Sequence, residues 1–171
     1  MAKGVKTELV SVNLSSEKEI SALKQMYFSY ISELLPFEHD GRSDVSDEQS
    51  WLMQFAEGCC HDWIREDGKN VGFIFYGPVE LEQRYWEIAQ FYVIPSSRHK
   101  GVGSRALDEL LKVFRQSEWR ADRLMYLVLR HNPAKAFWDR ALSFLPTVRE
   151  PAVEAEDPDS IWYFRKGILD L

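Results

Sequence analysis

The chain has 171 residues, 45% of them hydrophobic, which is enough for one buried core and too short for two ordinary domains. A formal charge of -6 and a pI near 5.3 exclude a general nucleic-acid binder, because phosphate backbones demand a basic footprint. The first ten residues, MAKGVKTELV, lack the apolar run of a signal peptide, and no later stretch approaches the roughly 20 apolar residues of a membrane span, so a soluble, cytoplasmic protein is expected.

In chain order, an apolar-leaning stretch from Glu8 to Leu14 precedes Ser16 and Glu19, whose spacing is that of a capping box. Ile20, Leu23, Tyr27, Ile31 and Leu34 then share one helical face, and Pro36 ends the pattern. Phe37 to Ser46 reads as a polar loop, after which Asp47 is placed to cap a short helix carrying Trp51, Leu52 and Phe55. Strand signals follow at Cys60 to Glu66, Val71 to Tyr76 and Tyr85 to Ile94, separated by a turn at Asp67-Gly68 and a break at Gly77-Pro78, which predicts an antiparallel meander. After Pro95 the period becomes helical, with Leu107, Leu110, Leu111 and Phe114 in one stripe. Leu124 to Leu129 is a continuous apolar run suited to a central strand. Ala134, Phe137, Trp138, Ala141, Leu142 and Leu145 trace another helix, and Ile161 to Phe164 supplies a late strand after Pro158. No repeat or linker interrupts this order, so residues 1–171 read as one α+β domain, a mixed sheet with helices on its faces.

Two chemistries find little support in this order. Cys59 and Cys60, the only cysteines, are adjacent and make neither a disulfide framework nor a metal-ligand spacing, which fits a reducing compartment. His39, His61, His99 and His131 are scattered, so no metal is expected.

The informative segment runs from Glu87 through Pro95 to Leu107. A strand enters a proline and then a basic turn, Arg98-His99-Lys100-Gly101-Val102-Gly103-Ser104-Arg105, that opens a helix. The orphan N–H groups of a helix start, with the positive end of its dipole, form an anion site, and glycines let a phosphate approach the backbone. Successive N–H groups in such a turn suit a pyrophosphate, with Arg98, Lys100 and Arg105 adding charge. The segment lacks the Gly-Lys-Ser/Thr end of a P-loop and the third glycine of the dinucleotide fingerprint.

Arg98-x-x-Gly101-x-Gly103, preceded by Phe91-Tyr92-Val93-Ile94-Pro95, resembles motif A of the GNAT (GCN5-related N-acetyltransferase) superfamily. The resemblance in element order spans nearly the whole chain, while specific motifs lie between Glu87 and Leu142. It implies a mostly antiparallel sheet with helices on both faces, in which the strand ending at Val93 splays from the strand around Leu127 and coenzyme A enters the wedge. Backbone groups of Phe91, Tyr92 and Val93 would then hold the pantetheine and thioester, and the N–H groups of residues 99 to 104 (His99, Lys100, Gly101, Val102, Gly103 and Ser104) the pyrophosphate.

Acetyl transfer to an amine needs a group that removes a proton from an ammonium ion, and a carboxylate serves when burial raises its pKa. Glu87 is the candidate base: it precedes the loop on the same strand, with Ala89, Phe91 and Val93 expected on its face by the period of two, and its position resembles that of the catalytic glutamate of histone-type members. The chain departs from the family's second motif. Ala134-x-x-Phe137-Trp138 keeps the spacing, but Trp138 replaces a tyrosine able to protonate the leaving thiolate, and His131 stands in the asparagine register with Asn132 one place later. Asn132 and Trp138 remain candidates for contact with the cofactor. The resemblance also places the acceptor near the first helix and its loop, where Tyr27, Tyr30, Glu33, Phe37, Glu38 and Asp40 suit a cation or serve as core and solvated surface.

The expected function is transfer of an acetyl group from acetyl-CoA to a small-molecule amine. A peptide or protein amine, or a coenzyme A-binding sensor without turnover, is the alternative. No nucleic acid or membrane partner is expected, and a homodimer is compatible with the sequence.

Overall fold

Ser16 begins the first helix as its sequence predicts: its hydroxyl accepts the N–H of Glu19 at 3.3 Å, and α1 (Glu17–Leu34) follows with Leu23, Tyr27 and Ile31 buried. Glu19 does not close back on the cap. Its carboxylate accepts from the Asn13 N–H and the Trp63 indole, each at 3.0 Å, and so pins the helix start to the sheet. The computed structural model describes residues 5–37, 48–55, 57–148 and 160–171. Asp47, the expected cap of α2 (Glu48–Met53), lies outside them, as do Glu38 and Asp40 of the acidic loop.

Among the described residues six strands form one sheet in chain order: β1 (Thr7–Ser11), β2 (Cys60–Glu66), β3 (Lys69–Glu80), β4 (Arg84–Val93), β5 (Arg123–Leu129) and β6 (Ser160–Lys166). Every neighbouring pair is antiparallel except β4 and β5. That parallel pair requires a crossover, which α3 (Val102–Gln116) supplies. The predicted α+β architecture is therefore present, with α4 (Lys135–Ala141) packed beside α3.

The two faces of the sheet carry different helices. On one, Ile74, Tyr76, Trp86, Ile88, Tyr126 and Val128 meet Leu107, Leu110 and Phe114 of α3 and Trp138 of α4. On the other, Trp63, Phe73, Phe75 and Tyr92 meet Tyr27 of α1 and Trp51 of α2.

Two local expectations change. β3 runs on through Gly77 and Pro78, which pair with Glu87 and Trp86 instead of breaking the strand. β2 ends opposite Tyr76, so β3 has a neighbour on one side only there, and a free edge tolerates proline. The last predicted helix stops at Ala141. Residues 142–145 tighten into turns bonded from Ser143 to Arg140 and from Leu145 to Leu142, ahead of Pro146, which cannot continue a helix.

Candidate active site

A bulge in β4 sets the geometry of the site. Gln90 lies opposite Phe75 and Ile88 opposite Tyr76, so Ala89 has no partner and the strand gains one residue. Side-chain parity therefore inverts at Ala89. Before it, Trp86 and Ile88 face α3 and Glu87 faces away; after it, Phe91 and Val93 face α3, whereas Gln90 and Tyr92 join the face of Glu87. The expected grouping of Glu87 with Ala89, Phe91 and Val93 is thus corrected, because an extra residue breaks the period of two that the reading assumed.

The same region is where the sheet opens. β4 and β5 pair only from Tyr85 with Arg123 to Ile88 with Tyr126, and no β5 residue stands opposite Ala89 to Val93. The wedge expected between Val93 and Leu127 is present. Its inner end is closed by aromatic rings: Phe91 lies 5.3 Å from Trp138 and 5.7 Å from Phe137, and Trp138 stacks on Tyr126 at 4.7 Å.

α3 starts at the mouth of this wedge. His99 and Gly101, on either side of Lys100, both have left-handed backbone, with φ 61 and 77, and together turn the chain into the helix. Gly101 is the N-cap without a side-chain acceptor, and Arg105 N is the first to bond back to its carbonyl, so the N–H groups of Val102, Gly103 and Ser104 have no partner within the helix. A Cβ on Gly103 would come within 3.2 Å of Phe137 and 3.7 Å of Phe91, so this glycine opens the space between the helix start and the wedge. A helix start with free donors, a bare glycine and an unpaired strand edge fit the pyrophosphate and the amide-rich arm of coenzyme A.

The basic residues of the turn are arranged otherwise than their charges alone suggest. Arg98 donates from Nε to the Val93 carbonyl at 2.7 Å and from Nη2 to Glu33 at 2.6 Å, with its guanidinium 5.3 Å from the centre of the Tyr92 ring. Tyr92 donates to the second oxygen of Glu33 at 2.7 Å. Arg105 ties α3 to the first two strands through Thr7 and Glu66, each at 2.8 Å. Lys100 and His99 are exposed at the turn, the lysine bonded to the Ser96 carbonyl at 2.7 Å. Asn132 accepts the Ala134 N–H at 2.8 Å and so shapes the turn into α4, while His131 is exposed beside it.

Glu87 sits one register pair before the wedge opens, opposite Gly77 on one side and Met125 on the other. It is half-buried, and its carboxylate makes no hydrogen bond or ion pair among the described residues. Burial pushes its pKa upward. Cys59 senses this carboxylate: burial, the neighbouring Cys60 and Glu87 together push its thiol up to about 11. Next along the face, Gln90 donates to Gln54 at 3.2 Å, and Gln54 is fixed by its own bonds to the Ser50 carbonyl and from His61. Gln54 and Gln90 went unnoticed in the sequence, since only the bulge brings Gln90 to this face.

Of the residues expected to roof an acceptor, Tyr27 is 1% exposed in the core, Tyr30 packs on Phe73 and Tyr92, and Glu33 is held by Arg98 and Tyr92. Among the described residues no group of three His, Cys, Asp or Glu could hold a metal ion, and no helix is long and apolar enough to cross a membrane.

The sequence pattern of the acetyltransferase (GNAT) family matches residues 22–144. No curated protein matches the chain in sequence. Among solved structures, the chain resembles an acetyltransferase from Thermus thermophilus (19% identity, 94% of this chain and 97% of that one, TM-score 0.61). It likewise resembles the PaiA N-acetyltransferase of Thermoplasma acidophilum in complex with coenzyme A (15% identity, 96% and 99%, TM-score 0.64). A third is the ribosomal-protein-S18-alanine N-acetyltransferase of Escherichia coli (14% identity, 94% and 92%, TM-score 0.56). At these identities the likeness is one of fold.

Proposed function

The chain belongs to the acetyltransferase (GNAT) family and is an N-acetyltransferase; from that premise we propose that it moves the acetyl group of acetyl-CoA directly onto a primary amine of a small molecule, with Glu87 as general base. The observation that carries this reading is the place of Glu87: half-buried, free of hydrogen bonds among the described residues and one register pair from the opening of the wedge.

Acetyl-CoA supplies the thioester carbonyl that the amine attacks. The N–H groups of Val102, Gly103 and Ser104, with the exposed charge of Lys100, would hold its pyrophosphate. The edge of β4 from Ala89 to Val93 would pair with the pantetheine amides, and Phe91 and Trp138 would exclude water where the wedge closes. Arg98 serves by bracing the Val93 carbonyl and α1. Glu87 takes the proton of the incoming ammonium group, which burial favours by bringing its pKa toward the working pH. Trp138 has no acidic hydroxyl, so in this reading the thiolate leaves without assistance from that position. The free thiols of Cys59 and Cys60 support a reducing, cytoplasmic setting, and residues 1–171 act as one domain.

Thiol release with a panel of amines, read beside acetyl-CoA calorimetry, tests the proposal. Turnover that needs both acetyl-CoA and an amine, and that Glu87→Gln lowers by roughly 10²- to 10⁴-fold without loss of acetyl-CoA binding, is the expected result; an unchanged Glu87→Gln enzyme would remove the base from this position.

A further inference from the structure

The face that carries Glu87 continues across β5 and β6 as an apolar wall. Tyr126 and Val128 turn toward α3 and α4, so Met125 and Leu127 turn to the opposite side, and the antiparallel register sets Phe164 across from Met125 and Trp162 across from Leu127. Tyr85, Met125 and Phe164 pack together with Trp162 against them, and among the described residues the group contains no helix residue. Leu127 is 41% exposed and Trp162 half-buried. On β2 to β4 the corresponding face is covered by Tyr27 and Trp51.

This wall joins the candidate base. Met125 is the parallel partner of Glu87, and Leu127 is the next residue of β5 on the same face, just beyond the point where the strands part. An amine at Glu87 therefore directs the rest of its molecule along Leu127 and Trp162. The charge pattern narrows the choice further. Glu87 is the one carboxylate of β4, β5 and β6. Gln90 donates to Gln54, which leaves its side-chain oxygen as an acceptor, and Glu33 is engaged by Arg98 and Tyr92. Among the described residues no other carboxylate lies on these three strands, so a second cationic end seated on Leu127 and Trp162 would be set against apolar carbon, which is costly.

We propose that the acceptor is a small monoamine with an aromatic or branched aliphatic body, seated on Leu127 and Trp162 with its amine at Glu87. This rests on the reading of Glu87 as the base.

The test compares kcat/KM for 2-phenylethylamine, isoamylamine, ethanolamine, putrescine and a peptide with N-terminal leucine, using the wild-type protein, Trp162→Ala and Leu127→Asn, with acetyl-CoA binding measured separately by calorimetry. The two apolar amines should exceed ethanolamine and putrescine by ~10-fold or more, the scale on which apolar pockets discriminate. Each variant should erase most of that preference by lowering kcat/KM for the two apolar amines far more than for ethanolamine, with acetyl-CoA still bound; Leu127→Asn, at an exposed position, guards against a folding defect in Trp162→Ala. A preference for putrescine, ethanolamine or the peptide, turnover of none of the five, or a preference that survives both variants overturns the inference while leaving acetyl-CoA binding intact. Failure of the wild-type protein to bind acetyl-CoA would overturn the functional reading and this inference with it.

Discussion

Arg98 Nη2 lies 2.6 Å from Glu33 Oε2, and the same carboxylate receives the Tyr92 hydroxyl at 2.7 Å. The arginine of the Arg-x-x-Gly-x-Gly pattern thus fastens the turn before α3 to the end of α1. Tyr92 remains a donor throughout the working range, since burial and the Glu33 charge push its pKa up to about 12. Both members of the ion pair are about one-third exposed, so solvent screens their attraction.

Glu33→Gln should therefore cost only about 0.5–1 kcal/mol, the scale of a partly exposed pair, and the loss should shrink at high salt. Urea midpoints at two ionic strengths measure it. Acetyl-CoA affinity should fall together with stability in Arg98→Ala, which also releases the Val93 carbonyl; unaltered affinity in that variant would show that the clamp does not shape the site.

Glu87→Gln should lower turnover by roughly 10²- to 10⁴-fold at neutral pH and remove the acidic limb of the rate profile. Stability should move the other way. Burial raises the folded-state pKa of Glu87, so as pH rises the unfolded chain releases its proton first and stability falls between the unfolded and folded pKa values. The glutamine variant lacks that fall and should be the more stable protein at neutral pH. Thermal melts from acid to neutral pH check the sign.

Cys59 offers an independent probe of the charge at Glu87. With its thiol held near pKa 11, first by burial and then by Cys60 and Glu87, alkylation of Cys59 should be slow at neutral pH and still accelerate above pH 10. Removing the carboxylate in Glu87→Gln should lower the thiol pKa and speed alkylation at a fixed pH. Mass spectrometry of iodoacetamide-treated protein distinguishes Cys59 from Cys60, and equal rates in wild type and variant would mean that Glu87 carries no charge there.

The two glycines of the turn should fail differently. Gly101→Ala puts a side chain at φ 77, with its Cβ 2.7 Å from Arg105 Nη1, and should cost about 1–2 kcal/mol in stability from the left-handed backbone alone. Gly103→Glu has ordinary helical backbone but fills the space beside Phe137 with a negative charge. It should remain folded and lose the thermal shift that acetyl-CoA gives the wild-type protein, and a full shift would remove the pyrophosphate from this helix start.

Much of the fold was legible because its signals are local. Ser16 marks a helix start by accepting the Glu19 N–H three residues on, a contact set by local backbone geometry, and Leu107, Leu110, Leu111 and Phe114 declare a buried stripe by spacing. The turn into α3 was legible for the same reason: glycine at φ 77 and free donors at a helix start depend on a handful of consecutive residues. Glu87 was found as a candidate, yet its neighbours were not. A bulge exists only between two strands, so the missing partner of Ala89 leaves no trace in β4 itself, and with it went the face shared by Glu87, Gln90 and Tyr92.

The sequence by itself determined the order of elements, the sheet-and-helix class and the glycine-containing turn that opens α3, each set by short-range backbone preferences and hydrophobic period. Tertiary structure alone decided which charges remain for a ligand, because Arg98 and Arg105 find Glu33, Glu66 and Thr7 from distant segments. It also decided that Leu127 and Trp162 extend the face of Glu87, since strand register and the point of splay depend on how six separate segments pack, which no window along the chain contains.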